Sequence, residues 1–463
     1  MVVVLSLLLA ACGCAQAAAA GSDCFASLAD LCAGTDAGRA CDSCAGRNQH
    51  DLRLAGCTSD DIDSWCTDSP GGGITVAADV PGRAASVHYA MEAQPASGEG
   101  AWQPVFVMES TAKNASSQGY FDHINGFTSS WASVMLSPRN SGGVRVRVTR
   151  IVGPPIFRAA VYPARSGATV AAITVKGAVE VLVPRAARFT LTVDGGLDDV
   201  DTGPNYKGPP IHTFSCFINP PLATPSGAGV LTIAAGKPIP PQLPEGTTAL
   251  VFGPGEHHMQ PVLPSKWAIW TLPDSVRVHV PMSAVLYFAL QSQLANNITV
   301  QGYGSISGEE MLRCPGGSPD QGPDDHGLGS EGGNRDSKTC TNNSPQGLSL
   351  KDFAVKQASI SGITFIDFPN HHVIAGATNK PCGTEGDTLS VIENVKVMGW
   401  RANGDGIHVF GHWLVKDVFL RTQDDSLYLQ AGGPTTCPTV FEGVTTWNDA
   451  NGAAFMLIGM SCA

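Results

Sequence analysis

From about Thr247 onward, the chain is a succession of short runs in which apolar and polar positions alternate. They read VRVHV (276–280), ITVQG (298–302), ITFID (363–367), VKVMG (395–399), VKDVFL (415–420) and GVTTW (443–447). A period of two is that of a strand with one buried face. The runs also recur: Val395 to Val418 is 23 positions and Val418 to Val444 is 26. That is close to one coil of a parallel β-solenoid, whose repeats bury their apolar faces by stacking on their neighbours. Residues 246–463 are therefore predicted to form a parallel β-helix. The run from Cys314 to Gly347, rich in Gly, Asp, Ser and Asn, breaks the repeat and reads as a long loop over or beside a groove. Upstream, over 80–245, Val144, Val146 and Val148 alternate with Arg145 and Arg147. Val179, Val181, Val183 and then Phe189, Leu191, Val193 continue the pattern. Strands at this spacing with Gly and Pro between them predict a β-sandwich, the arginines lying on a solvated face.

Composition agrees with an all-β reading. The chain has 463 residues, too many for one compact core, with 53 Gly, 32 Pro and only 15% charged residues. Its net charge of -12, without a basic block, argues against nucleic acid and against polyanionic substrates such as pectin. Residues 1–20 run from apolar to small and predict a secretory signal peptide cleaved near Ala17 to Ala20. Leu9-Ala10-Ala11-Cys12 also has the form of a bacterial lipoprotein signal. No later segment is long and apolar enough to span a bilayer. Losing Cys12 and Cys14 of the 14 cysteines leaves an even number, as disulfides in an oxidising compartment require. Sequons at Asn114, Asn297 and Asn342 suit a secreted glycoprotein. A secreted monomer is expected.

Residues 21–67 hold Cys24, Cys32, Cys41, Cys44, Cys57 and Cys66 in a segment too short for a large core. Bridges must staple it, and six cysteines allow about fifteen connectivities. Cys41 and Cys44 have the gap of a zinc ligand pair, but no histidine or second pair sits at zinc spacing, so disulfides are expected. Trp65 is a sugar-stacking candidate or a core residue. SPGGG at 69–73 lies in a linker, 68–79.

The chemistry concentrates at Trp400–Gln430, WRANGDGIHVFGHWLVKDVFLRTQDDSLYLQ. Asp405 sits in a Gly-Asp-Gly turn, and Asp424 and Asp425 follow from 19 positions later. Each acidic cluster precedes an alternating run, Ile407 and Val409 or Leu427 and Leu429. Carboxylates one coil apart lie ~4.8 Å apart along the stack. Solenoid corners also use Asp and Gly as ordinary turn residues. Clustered acids on a rigid wall suit acid and base catalysis of glycoside hydrolysis. Trp400, Tyr428 and Trp447 flank the acids as stacking candidates or core aromatics, and Asn403 is a hydroxyl ligand or a turn former. His408 and His412 read as outward strand residues, and His371 and His372 as a pair lining the groove one coil earlier. Asp320, Asp324, Asp325 and His326 lack regular ligand spacing, so no metal or cofactor is expected.

NGDGIHV, then RTQDDSLYL, then WNDANGAAFMLIG resembles glycoside hydrolase family 49, the dextranase and isopullulanase family. The resemblance spans roughly 80–463, is strongest at 400–456, and leaves the cysteine-rich segment unmatched. HTFSCFINP at 212–220 resembles the closing part of the family's sandwich domain. The resemblance implies a β-sandwich followed by a right-handed parallel β-helix, and inversion at the anomeric centre. It implies that Asp405, Asp424 and Asp425 form the catalytic triplet, with Asp424 as the acid and the other two holding the water. It also implies that the substrate is an α-glucan, α-1,6 or α-1,4 linked. Polygalacturonases share the helix and a similar acid triplet, but WNDANGAAF lacks their Gly-His-Gly histidine. A non-catalytic carbohydrate-binding surface protein is the reading from another class. Met460-Ser461-Cys462-Ala463 ends within an apolar strand pattern, so further coils are expected beyond it.

Overall fold

The computed structural model describes residues 22–32, 35, 39–55, 57–67, 73–112, 128–140, 142–194, 212–259, 268–292, 297–311, 346–350, 357–376, 388–401, 403–430, 438–448 and 452–458. The expected leader, the insertion between Cys314 and Cys340, the sequons at Asn114 and Asn342 and the last five residues lie outside them. Asn297 of the third sequon is exposed at the start of a strand.

The cysteine-rich segment is four short helices: α1 (Ser22–Leu31), α2 (Arg39–Arg47), α3 (Gln49–Leu54) and α4 (Ser59–Thr67). Its six cysteines pair internally as Cys24–Cys57, Cys32–Cys44 and Cys41–Cys66. They enclose a small core of Phe25, Leu28, Leu52 and Trp65. Trp65 is only 6% exposed, packed on Phe25 and under the Arg139 guanidinium, so it is a core residue and offers no open face to a sugar. Arg139 also donates to the carbonyls of Trp65 and Thr35, both at 3.0 Å, which ties the unit to the sandwich.

Two sheets make the sandwich. One orders its strands Ile74–Val76, Thr128–Leu136, His212–Asn219, Ala187–Val193 and Ala159–Tyr162, with Val107–Thr111 also on Thr128–Leu136. The other orders Gln103–Val105, Tyr89–Pro95, Val144–Arg150, Val179–Val183 and Thr169–Ile173. The alternating valines of 144–148 and 179–183 face inward and are fully buried, as their period predicts. Their partners Arg145 and Arg147 are not simply solvated. Both pair with Glu180, at 2.9 and 2.8 Å, and Arg147 covers the Trp102 ring at 4.1 Å.

A parallel β-helix follows, each coil adding one strand to each of three sheets. Its first sheet opens with Val230–Ile233, so the solenoid starts before residue 246 and takes in the end of the expected sandwich span. The first sheet continues through Asn297–Gln301, Gln357–Ser361, Ser390–Glu393, Trp413–Lys416 and Val440–Glu442. The second contains Ser305–Ser307, Thr364–Ile366, Lys396–Met398, Phe419–Thr422 and Thr445–Asn448. The third contains Leu348–Leu350, Val373–Gly376, Ile407–Phe410, Leu427–Gln430 and Met456–Ile458. The bend from first to second sheet uses one backbone device in five stacked coils. Gly302, Gly362, Asn394, Asp417 and Gly443 all take positive φ, a conformation that Gly, Asn and Asp tolerate best. Asp417, at φ 55°, splits the run 415–420, which reads as one strand in sequence, into two strands on different sheets.

The sandwich lies on the second solenoid sheet. Met108, Trp131 and Phe217 pack against Val285, Tyr287, Ile366, Met398 and Phe419. Arg188 reaches the bend, donating to Asn394 Oδ1 at 2.9 Å and pairing with Asp417 Oδ1 at 2.7 Å. Lys396 is fully buried in the same seam, donating to Asn219 Oδ1 at 2.6 Å and the Gly362 carbonyl at 3.1 Å. Burial, reinforced by the Arg188 charge, holds its amine well below the usual lysine range.

Candidate active site

The bend from second to third sheet carries the acids. Register fixes their relation: Val373 pairs with Ile407, and Ile407 with Leu427. The ladder extends backwards without a slip. His372 N–H donates to Asp405 O at 2.8 Å and Val373 N–H to Gly406 O at 3.0 Å. Gly406 N–H donates to Asp425 O at 2.8 Å and Ile407 N–H to Ser426 O at 2.9 Å. His371, Asp405 and Asp425 therefore hold the same position in three successive coils, each two residues before its third-sheet strand. Asp424 lies one residue to the side. Asp405, Asp424 and Asp425 are thus brought to one corner, 4%, 6% and 2% exposed.

The corner is tightly braced. Asp424 accepts the backbone N–H of Asn403 at 2.9 Å and of Asp425 at 3.0 Å. Asp425 Oδ1 accepts from Ala453 N–H at 2.6 Å in the next coil. Thr422 Oγ1 and Asn448 Nδ2 both donate to the Asp424 carbonyl, at 2.7 and 2.9 Å, and Ser426 Oγ donates to Asn448 Oδ1 at 2.9 Å. Close approach of the coils needs glycine. A Cβ on Gly406 would lie 2.3 Å from the Ser426 oxygen, and one on Gly452 would lie 2.0 Å from the Asp424 carbonyl carbon.

Electrostatics separates Asp424 from an ordinary carboxylate. Burial, then the charge of Asp405 and that of Asp425, push its pKa from 3.8 up to about 6, against the two backbone N–H groups that favour the anion. The Tyr428 hydroxyl is pushed up to about 12 by burial and by the charges of Asp405 and Asp425. His372 is fully buried. Its Nδ1 lies 2.8 Å from the Asp405 carbonyl, and its Nε2 accepts Phe368 N–H at 3.3 Å, so the ring is neutral with its proton on Nδ1. Burial drives its pKa down to about 4.

The aromatic candidates fall into two groups. Trp400 and Tyr428 are each 1% exposed, so neither presents an open ring in this structure. Trp400 instead covers Arg421, whose guanidinium sits 4.2 Å from its ring centre and 4.7 Å from that of Trp447. Trp447 is half-buried and remains the stacking candidate of the three. Asn403 takes φ 56°, so the turn-forming role is the one observed, with its N–H serving Asp424. His408 does point away from the solenoid core, yet it is 1% exposed because its ring lies 4.0 Å from that of Tyr428.

Several residues of the corner carry no motif in the sequence. Asp367 accepts Trp400 N–H at 2.9 Å and lies 3.4 Å from Arg401 Nε. Arg401, fully buried, donates to the Met311 carbonyl at 2.6 Å. Glu309, two residues before Met311, pairs with Arg83 of the sandwich at 2.9 Å. No group of His, Cys, Asp and Glu side chains suited to a metal ion occurs among the described residues.

No protein-family model matches the chain, and no curated protein matches it in sequence. Among solved structures, Dex49A from Penicillium minioluteum is similar over 86% of this chain and 80% of its own, with a TM-score of 0.53 and 16% identity. A Family 28 exopolygalacturonase from Yersinia enterocolitica covers 68% of each chain with a TM-score of 0.31 and 11% identity. The likeness to Dex49A is one of fold.

Proposed function

We propose that this protein is a secreted, inverting glycoside hydrolase acting on an α-glucan of the dextran or pullulan type. The observation that carries the reading is the meeting of Asp405, Asp424 and Asp425 on one corner of two adjacent coils, with Asp424 pushed up to about 6. A carboxyl group that keeps its proton near neutrality is the acid an inverting site needs for the leaving oxygen. Asp424 fills that role. Asp405 and Asp425, stacked one coil apart beside it, orient and deprotonate the water.

Two features favour a neutral glycan over a polyuronate. The corner is crowded with carboxylates. Its nearest described cations are engaged: Arg401 is 0% exposed against Asp367, and Arg421 is 3% exposed between two indoles. The fold likeness to Dex49A and the family 49 pattern at 400–456 support the same reading.

A reducing-sugar assay on dextran, pullulan and polygalacturonate tests it. Release from dextran or pullulan, lost in Asp424→Asn, is the expected result. Glycan binding without release would leave a binding protein, and release from polygalacturonate alone would overturn the neutral-substrate reading.

A further inference from the structure

We propose that His371 is a positioning residue for Asp405, an inference that rests on the catalytic reading above. The argument begins in the column. His371, Asp405 and Asp425 occupy one register position in consecutive coils, about 4.8 Å apart along the stack. Asp405 therefore has a like charge on one side, from Asp425, and an imidazole on the other. The His371 Nδ1 lies 3.2 Å from Asp405 Oδ2, in ion-pair range but off the axis of a straight hydrogen bond.

The histidine is held where this contact is obligatory. Its carbonyl accepts Gly347 N–H at 3.2 Å from the coil before, and its own N–H is bonded to Asn370 Oδ1 at 2.9 Å. The next residue's N–H is fastened to Asp405 O at 2.8 Å in the coil after. The backbone at 371–372 is therefore pinned from both sides. The ring is walled by His408, with centroids 5.5 Å apart, and by Tyr428, at 6.2 Å. The ionisable groups facing it are thus Asp405 ahead and His408 and Tyr428 at its side. The His372 that follows it is neutral.

Two carboxylates stacked at this spacing repel, and burial makes the repulsion costly. An imidazole nitrogen 3.2 Å from Asp405 Oδ2, on the side away from Asp425, offsets that cost and bears on one carboxylate oxygen. The expected division of labour is that Asp405 takes the proton from water while His371 holds its carboxylate oriented. His371 itself touches no reacting atom.

The test compares His371→Asn, whose amide N–H replaces Nδ1, with His371→Phe, which keeps a flat ring and loses the donor. With dextran as substrate, His371→Phe should lose roughly 10-fold to 100-fold in kcat with KM nearly unchanged, the size of effect that misplacing one group produces. His371→Asn should recover most of the rate. Equal losses in both variants, or no loss in either, would overturn the proposal. A second measurement is independent of turnover: denaturation midpoints of His371→Phe, Asp405→Asn and the double variant should be non-additive, because the two side chains touch. Additive midpoints would overturn the contact. If the wild-type protein released no sugar from any glycan, the catalytic reading would fall, while the stability cycle would still decide the pairing.

Discussion

Two of the solenoid's bends use buried polar groups in opposite ways. At the bend from first to second sheet, buried donors meet acceptors. Arg188 meets Asn394 and Asp417, and Lys396 meets Asn219 and the Gly362 carbonyl, all beneath the sandwich. At the bend from second to third sheet, like charge is gathered. Asp405, Asp424 and Asp425 share one buried corner, and the carboxyl of Asp424 rises to about 6. The backbone ladder is the same at both bends. The difference lies in what the side chains meet, which makes one bend a seam and the other the proposed site.

The comparison breaks most sharply at Asp424. Asp424→Asn is nearly isosteric and should lower kcat on dextran by ~10²–10⁴-fold while leaving glycan binding close to wild type. A glycosyl fluoride, whose leaving group needs little protonation, should be cleaved far better by this variant than the glucan is. Asp405→Asn should lose activity on both substrates if, as proposed, Asp405 activates the water. Similar responses of the two variants to leaving-group ability would refute the division into acid and base.

Seam and site should then differ in what a packing change costs. Gly452→Val places side-chain atoms against the Asp424 carbonyl, and it should destabilise the fold by ~1–3 kcal/mol and disable the corner together. Arg188→Ala removes the donor shared by Asn394 and Asp417. It should cost about 1–3 kcal/mol in chemical denaturation and leave kcat within twofold. A large fall in kcat for Arg188→Ala would mean that the two bends are coupled.

The smallest effect is a pH signature. The folded pKa of Asp424, about 6, lies above its unfolded 3.8, so its protonation favours the folded state. That contribution is complete below 3.8 and fades as pH rises through about 6. Across this window the denaturation midpoint of the wild type should fall relative to that of Asp424→Asn. The high-pH limb of activity should fall over the same upper range, as the acid loses its proton. Parallel stability profiles would place Asp424 in an ordinary environment.

Much of this molecule is legible in the order of its residues. The alternation at 144–148 and 179–183 marks the sandwich core, and the recurrence of Val395, Val418 and Val444 marks the coil. Asp405 and the pair at 424–425, one coil apart, announce the corner. These are local or strictly periodic signals, and a solenoid turns a period in sequence directly into a neighbour in space. Where the period is interrupted, the reading slips. Asp417 hides a bend inside an apparent single strand. The solenoid begins at Val230, before its alternation becomes recognisable.

What the sequence by itself determined, then, is the repeat, the two β-architectures and the three aspartates. Only the tertiary structure decided what those groups face. Trp65, Trp400 and Tyr428 read in sequence as sugar platforms or core aromatics, and the fold covers them, with Arg139, Arg421 and His408. The six N-terminal cysteines specify stapling but not which of the many pairings is made. His371 and Asp405 are separated by a stretch of loop and strand, yet they share one column because Val373 and Ile407 share a register. Burial, pairing across loops of irregular length and the sharing of charge depend on where distant segments come together, and no local pattern records that distance.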